Sequence, residues 1–313
     1  ARFGTRLGTR RYLYQLPWYV IVGPPGAGKT TALRNAGLEF PLSDSFGDIA
    51  VRGVGGTRNC DWWFTDEAVI LDTAGRYTTQ DSDEAADAAA WTGFLDLLRK
   101  YRRRRPLDGV VVALGVDILA RADPEILDDH ARRVRQRLQE ITGHLKIQLP
   151  VYFVVTKADL MPGLVETFDD LSRGQRQQVF GFTFDSTDPE ARAPLGEFDA
   201  RFDELAASLD ERRLVRMGEE AGVEQRARIH AFPQQVAALR GALKRFTERA
   251  FGATRYESPV LLRGLYFTSG TQEGTPIDRL MSAMAGHFGL SGAPAGAYSG
   301  SGRSYFLTRL LRD

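Results

Sequence analysis

The chain has 313 residues, of which 43% are apolar and 26% charged, with a net formal charge of +1. This is ordinary globular composition, long for a single compact core, so one large domain with an insertion or two domains is expected. Near-neutral charge excludes a global field that recruits nucleic acid, and no apolar run approaches the roughly 20 residues that cross a bilayer. Cys60 is the single cysteine. It forms no internal disulfide and reads as a small buried hydrophobe in a reducing compartment. The chain begins at Ala1 without a signal-peptide pattern and is expected to be a piece of a longer protein.

Residues 1–16 are basic and polar. Trp18–Val22 (WYVIV) is a short β-rich apolar run ended by Gly23 and predicts a buried strand. A helix over Gly28–Ala36 follows, closed by Gly37. Residues 38–59 predict a long loop. Cys60–Phe64 and Ala68–Leu71 predict two strands around a tight turn, and Asp83–Tyr101 a helix with Trp91, Phe94, Leu95 and Leu98 at helical spacing. Val110–Leu114 is continuous and β-branched, which predicts a central parallel strand. Pro124–Thr142 predicts a helix with proline in its first turn, and Val151–Val155 another buried strand. Residues 162–257 show no clear buried strand, only helical runs at Val165–Gln178, Phe198–Met217 and Gln225–Phe251. Strand character returns at Val260–Phe267, before a helix over Ile277–Phe288. SGAPAGAYSGSG (291–302) has linker composition, and Tyr305–Leu311 reads as a short amphipathic tail.

GPPGAGKT, from Gly23 through Pro24, Pro25, Gly26, Ala27, Gly28 and Lys29 to Thr30, fits G-x-x-x-x-G-K-[ST] between a strand and a helix. Its glycines allow backbone amides to face phosphate oxygens, and the helix start adds partial positive charge. Lys29 is expected to reach the β- and γ-phosphates and Thr30 to ligate Mg²⁺, with Thr31 beside it. Asp72, in Leu71-Asp72-Thr73-Ala74-Gly75, ends a strand and is expected to hold Mg²⁺ through water. Gly75 allows its amide to approach a γ-phosphate. Thr57, in the loop between, is the candidate third group of the Mg²⁺ shell.

Thr156-Lys157-Ala158-Asp159 follows the strand VYFVV and matches the [NT]KxD element of GTPases. Asp159 is an acceptor-only carboxylate suited to the N1–H and N2–H₂ donors of guanine, while adenine offers an acceptor there. Such charge-assisted bonds contribute about 1.5–3 kcal/mol each. Lys157 would lie along base and ribose, and Ser269 and Gly270 would offer backbone amides to the guanine O6.

After D-x-x-G, where Ras-type GTPases carry a water-orienting glutamine, stands Arg76. Arginine cannot accept a proton at neutral pH, although it can stabilise developing charge. Gln80 and Arg58 are further candidates, and slow intrinsic turnover is expected. The basic run Lys100–Arg105 reads either as solvated cations at a helix C-terminus or as a lipid-facing patch worth about 1 kcal/mol per residue near an anionic surface. The four histidines are scattered without ligand spacing, and no zinc site is expected.

LPWYVIVGPPGAGKTTAL (16–33), GVGGTRNCDWWFTDEAVILDTAGRYTTQDS (53–82), VVTKADL (154–160), VFGFTF (179–184), RARIHAFPQQ (226–235) and GLYFTSGTQEGTPIDRL (264–280) together resemble the TssM (IcmF) family of type VI secretion inner-membrane subunits. The resemblance implies the cytoplasmic NTPase-like part of a membrane protein, at the inner face of the bacterial inner membrane. Its ends, residues 1–16 and 291–313, would be membrane-proximal. It implies self-association and assembly with TssL in the inner membrane and the baseplate subunit TssK, with TssJ met through a periplasmic part. Near-neutral charge and the lack of helicase-like elements predict no nucleic-acid partner. The family is usually described as ATP-binding, so the cofactors implied are Mg²⁺ and GTP or ATP, a choice that TKAD leaves open.

The expected fold is α/β: a P-loop NTPase, GTPase-like, with a doubly wound mostly parallel sheet. Its domain would comprise residues 17–161 and 259–290, interrupted by a helical insertion at 162–258. Two functions compete. One is a slow NTPase switch or energiser; the other is a docking domain for TssL and TssK whose nucleotide binding is vestigial or structural.

Overall fold

The computed structural model of the protein describes residues 14–36, 60–65, 67–79, 84–121, 123–184, 194–253, 260–270 and 305–306. Thr57, Arg58, Gln80, the helix expected at 277–288 and the linker at 291–302 lie outside them. The described residues form a mixed α/β fold around a mostly parallel sheet. Its seven strands are β1 (Trp18–Val22), β2 (Cys60–Phe64), β3 (Val69–Thr73), β4 (Gly109–Gly115), β5 (Pro150–Thr156), β6 (Phe180–Thr183) and β7 (Leu261–Phe267). Their order is β2-β3-β1-β4-β5-β7-β6. The five inner strands run parallel, and the edge strands β2 and β6 pair antiparallel with β3 and β7.

Both faces are covered, which is why the central strands β1, β4 and β5 read as near-continuous apolar runs. Along β4 the residues alternate between two cores: Val110, Val112 and Leu114 face the larger, Val111 and Ala113 the smaller. The smaller core is roofed by α1 (Lys29–Asn35) through Ala32 and Leu33. The larger takes Trp91, Leu95 and Leu98 of α3 (Glu84–Tyr101), reached from β3 through the short α2 (Arg76–Thr79). It also takes α5 (Pro124–Leu145), which follows α4 (Val116–Arg121). Asp123 caps α5 by accepting from the Glu125 amide (3.3 Å), with proline in the first turn as expected.

Between β5 and β7 the chain departs from the sequence expectation in three places. The run read as one helix over 165–178 is α6 (Leu164–Phe168) and α7 (Arg173–Arg176), because a Ser172–Gln175 capping box starts a new helix. The run read over 225–251 is α9 (Val223–Ala237) and α10 (Arg240–Phe251), which follow α8 (Phe198–Glu219). The break lets α10 turn onto the sheet, where the Phe246 ring stacks on Phe153 at 5.0 Å. The segment is also not purely helical: β6 adds an edge strand, with Phe180 and Phe182 buried in the larger core. At four residues it is too short for its alternation to announce a strand, and pairing with β7 decides it.

The basic run 100–105 is also corrected at one position. Arg103, Arg104 and Arg105 are exposed, but Arg102 is 1% exposed. Its guanidinium lies 4.5 Å from the Trp18 ring and pairs with Asp108 at 3.2 Å, while Asp108 accepts from the Trp18 amide. Arg102 therefore fixes the start of β1 and is available neither to solvent nor to a lipid surface.

Candidate functional site

Loops at the C-terminal ends of β1, β3, β5 and β7 converge. The first is GPPGAGKT. Gly28 has φ +73°, a left-handed conformation that glycine adopts without penalty. A Cβ there would also sit 3.3 Å from the Thr156 hydroxyl. Lys29 is buried, and its ammonium donates to the carbonyls of Gly23 (2.7 Å) and Pro24 (3.1 Å). Burial pushes its pKa down to about 8, while the nearby Asp72 carboxylate pulls it back up. The Ala27 amide closes the turn on the Pro24 carbonyl at 3.2 Å, leaving Pro25 and Gly26 exposed at its tip.

The second loop follows β3. Asp72 is fully buried, and Thr30 donates its hydroxyl to Asp72 Oδ2 at 2.6 Å, so the two groups expected to share a cation already touch. A carboxylate and a hydroxyl are hard oxygen donors, the set that suits Mg²⁺. Thr73 donates to the Ile21 carbonyl at 2.7 Å and locks the end of β3 to β1. Gly75 is pressed onto the phosphate-loop backbone: a Cβ there would lie 2.4 Å from the Pro25 nitrogen. The absent side chain is thus needed for packing, a reason separate from the amide approach expected from the sequence. Arg76, proposed from the sequence to stabilise developing charge, pairs with Asp87 of α3 at 3.0 Å.

The third loop is TKAD. Thr156 donates to the Ala27 carbonyl at 2.6 Å and ties this loop to the first. Lys157 has φ +58° and pairs with Asp117 of α4 at 2.7 Å. Asp117 belongs to no motif, and only the fold brings it to Lys157. Asp159 is buried, and burial raises its carboxyl above the usual range while the Ser269 hydroxyl, donating to Oδ1 at 2.7 Å, lowers it. Ser269 and Gly270 come from the fourth loop, with Gly270 against the Thr31 carbonyl. One expectation is corrected. The Ser269 amide donates to the Tyr305 carbonyl at 3.0 Å and is not directed at a ligand, so Ser269 acts on this site through its hydroxyl.

A cavity of 440 Å³ lies elsewhere, beside Val110, Val151 and Leu261 at the opposite ends of β4, β5 and β7. None of the four loops lines it, and the chemistry of the convergent loops outweighs its size.

The IcmF-related N-terminal domain family matches residues 84–313, most of the chain. The chain belongs to the IcmF-related family. A relative, the type VI secretion system component TssM1 of Pseudomonas aeruginosa, is 53% identical over 306 residues, 97% of this chain. The IcmF-related chain spans 28% of that relative's length. Among solved structures, the signal recognition particle receptor SRb-GTP/SRX complex from Chaetomium thermophilum aligns with 49% of this chain and 76% of its own, at 20% identity and a TM-score of 0.28. A dimerization-deficient mutant of Toc33 from Arabidopsis thaliana aligns with 82% of this chain and 90% of its own, at 11% identity and a TM-score of 0.27. Both superpositions are poor, and neither bears on the activity of this chain. Among the described residues no helix is long and apolar enough to cross a membrane.

Proposed function

We propose that this chain is the nucleotide-binding domain of a type VI secretion component, with a GTPase-like P-loop fold and a preference for guanine. One observation carries the reading: the phosphate-type and base-type loops meet, Thr30 on Asp72 at one end and Thr156 on Ala27 at the junction with the other. Lys29 would bind the phosphates, exchanging its bonds to Gly23 and Pro24 for phosphate oxygens. Thr30 and Asp72 would hold Mg²⁺, which neutralises phosphate charge when bound; Thr57 is proposed to join them. Asp159 would read the guanine edge, and Lys157, oriented by Asp117, would flank the base. Turnover is slow in this reading, because Arg76 is engaged by Asp87 and cannot serve as a base. The domain acts as a switch or energiser at the cytoplasmic face of the inner membrane, within an assembly that includes TssL, TssK and, through the rest of the protein, TssJ.

The Arg76–Asp87 pair also favours a second reading, in which nucleotide is bound but not turned over and the domain is a docking scaffold for TssL and TssK. Calorimetric titration with GDP and with non-hydrolysable GTP and ATP analogues, all with Mg²⁺, tests the first reading. Tight guanine binding that is lost in Asp159→Ala is the expected result. Adenine binding would make TKAD a remnant of the fold, and no binding would leave the scaffold. With binding established, steady-state turnover abolished in Lys29→Ala separates switch from scaffold.

A further inference from the structure

We infer that Tyr305 and Phe306 are positioning residues of the base-reading site, holding Asp159 in place through Ser269. The inference rests on the reading of Asp159 as the guanine acceptor. Tyr305 and Ser269 form an isolated antiparallel bridge: the Ser269 amide donates to Tyr305 (3.0 Å), and the Tyr305 amide donates to Ser269 (2.9 Å). Ser269 then donates its hydroxyl to Asp159 Oδ1. The base loop is tied to the same segment by two more bonds, Ala158 amide to Thr268 carbonyl (3.0 Å) and Thr268 amide to Val155 carbonyl (2.8 Å). Backbone bonds therefore set the height of Ser269 from both sides, one through β5 and one through Tyr305.

The bridge is anchored, not merely laid on the surface. Tyr305 is 1% and Phe306 4% exposed. The Phe306 ring meets Phe168 of α6 at 4.9 Å and Phe180 of β6 at 5.2 Å, and its amide donates to the Arg176 carbonyl of α7 at 2.7 Å. Phe306 has φ +58°. A bulky residue keeps that left-handed conformation only where its surroundings over-determine it. The elements between β5 and β7 thus hold a pair of residues whose contact with the base site is Ser269. A carboxylate that must match two donors on a purine edge has to be held to within about 0.5 Å, which requires supporting residues locked by their own packing. Tyr305 and Phe306 meet that description.

The test compares GDP with inosine diphosphate, which lacks the 2-amino group and so gives Asp159 one donor in place of two. Affinities are measured by calorimetry with Mg²⁺ in the 313-residue chain and in Ser269→Ala, Phe306→Ala and Phe306→Leu, with thermal melts as a check on folding. The expected wild-type preference for GDP is roughly tenfold or more, the equivalent of one charge-assisted bond. It should fall to within about threefold in Ser269→Ala and Phe306→Ala and partway in Phe306→Leu, which supplies the measurement if the alanine variant does not fold. General loosening would weaken both ligands equally and leave the ratio unmoved. An unchanged ratio in the folded Phe306 variants, with wild type preferring GDP, overturns this inference alone. A wild type that does not distinguish guanine from adenine nucleotides overturns the base-site reading, and the inference with it.

Discussion

At the proposed phosphate end, Lys29 reaches back five and six residues to Pro24 and Gly23, whereas at the proposed base end Asp159 takes its donor from Ser269, 110 residues away. The first end is folded largely by its own turn, with glycines supplying the geometry. The second exists only once β5 and β7 lie side by side and Tyr305 has returned to the sheet. The two ends should therefore fail differently: local substitutions disable phosphate binding without disturbing the fold, while the base end responds to residues remote in the chain.

Lys29→Ala is the most severe break. Removing the ammonium should weaken every nucleotide about 10- to 100-fold or more by calorimetry, whatever the base, with circular dichroism unchanged. Retained affinity would mean that the phosphate end is not the site. Asp159→Ala should be selective. The guanine preference should collapse by about 10- to 100-fold while adenine nucleotides bind no more weakly than before. A uniform loss across bases would show that the two ends cannot be separated.

Acidity sharpens the comparison, because the phosphate end carries a lysine brought down to about 8 from an ordinary 10.5. Between those values the folded chain without ligand has released a proton that the unfolded chain keeps, so this group makes stability rise with pH across that window. Nucleotide affinity moves the other way. It should fall as pH rises through about 8, by up to about tenfold per unit, because anionic phosphate favours charged Lys29 and binding takes up a proton. Titration at pH 9 in buffers of different ionisation heat measures that uptake, and no uptake would detach Lys29 from the phosphates.

Thr156→Val is the mildest change, and it cuts the tie between the ends. Losing the hydroxyl bond to the Ala27 carbonyl should cost about 1 kcal/mol and lower Tm by a few degrees in a thermal melt. An unchanged Tm would make the two ends independent neighbours.

What could be read in advance follows the same division. That Lys29 and Thr30 would lie beside Asp72 and Gly75 was legible because both segments follow apolar strand runs, and β4 was legible because burial on both faces demands an unbroken apolar run. The Lys157 partner Asp117 was not, since a single carboxylate in a short helix carries no pattern. Nor was the burial of Arg102, which sits in a run of cations but lies over Trp18 and pairs with Asp108 from within the fold. β6 hid for a related reason: four residues at a sheet edge become a strand by pairing with β7.

By itself the sequence determined the alternating α/β order and the residues from which the proposed phosphate and base loops are read, all of which depend on neighbours within a few residues. Tertiary structure alone decided that Ser269 meets Asp159 by its hydroxyl, that Arg76 faces Asp87, and that Tyr305 and Phe306 close the base end. Ser269 with Asp159 and Tyr305 with Ser269 are far apart in the chain, Arg76 and Asp87 lie on two separate helices, and no local periodicity encodes the partner that packing selects.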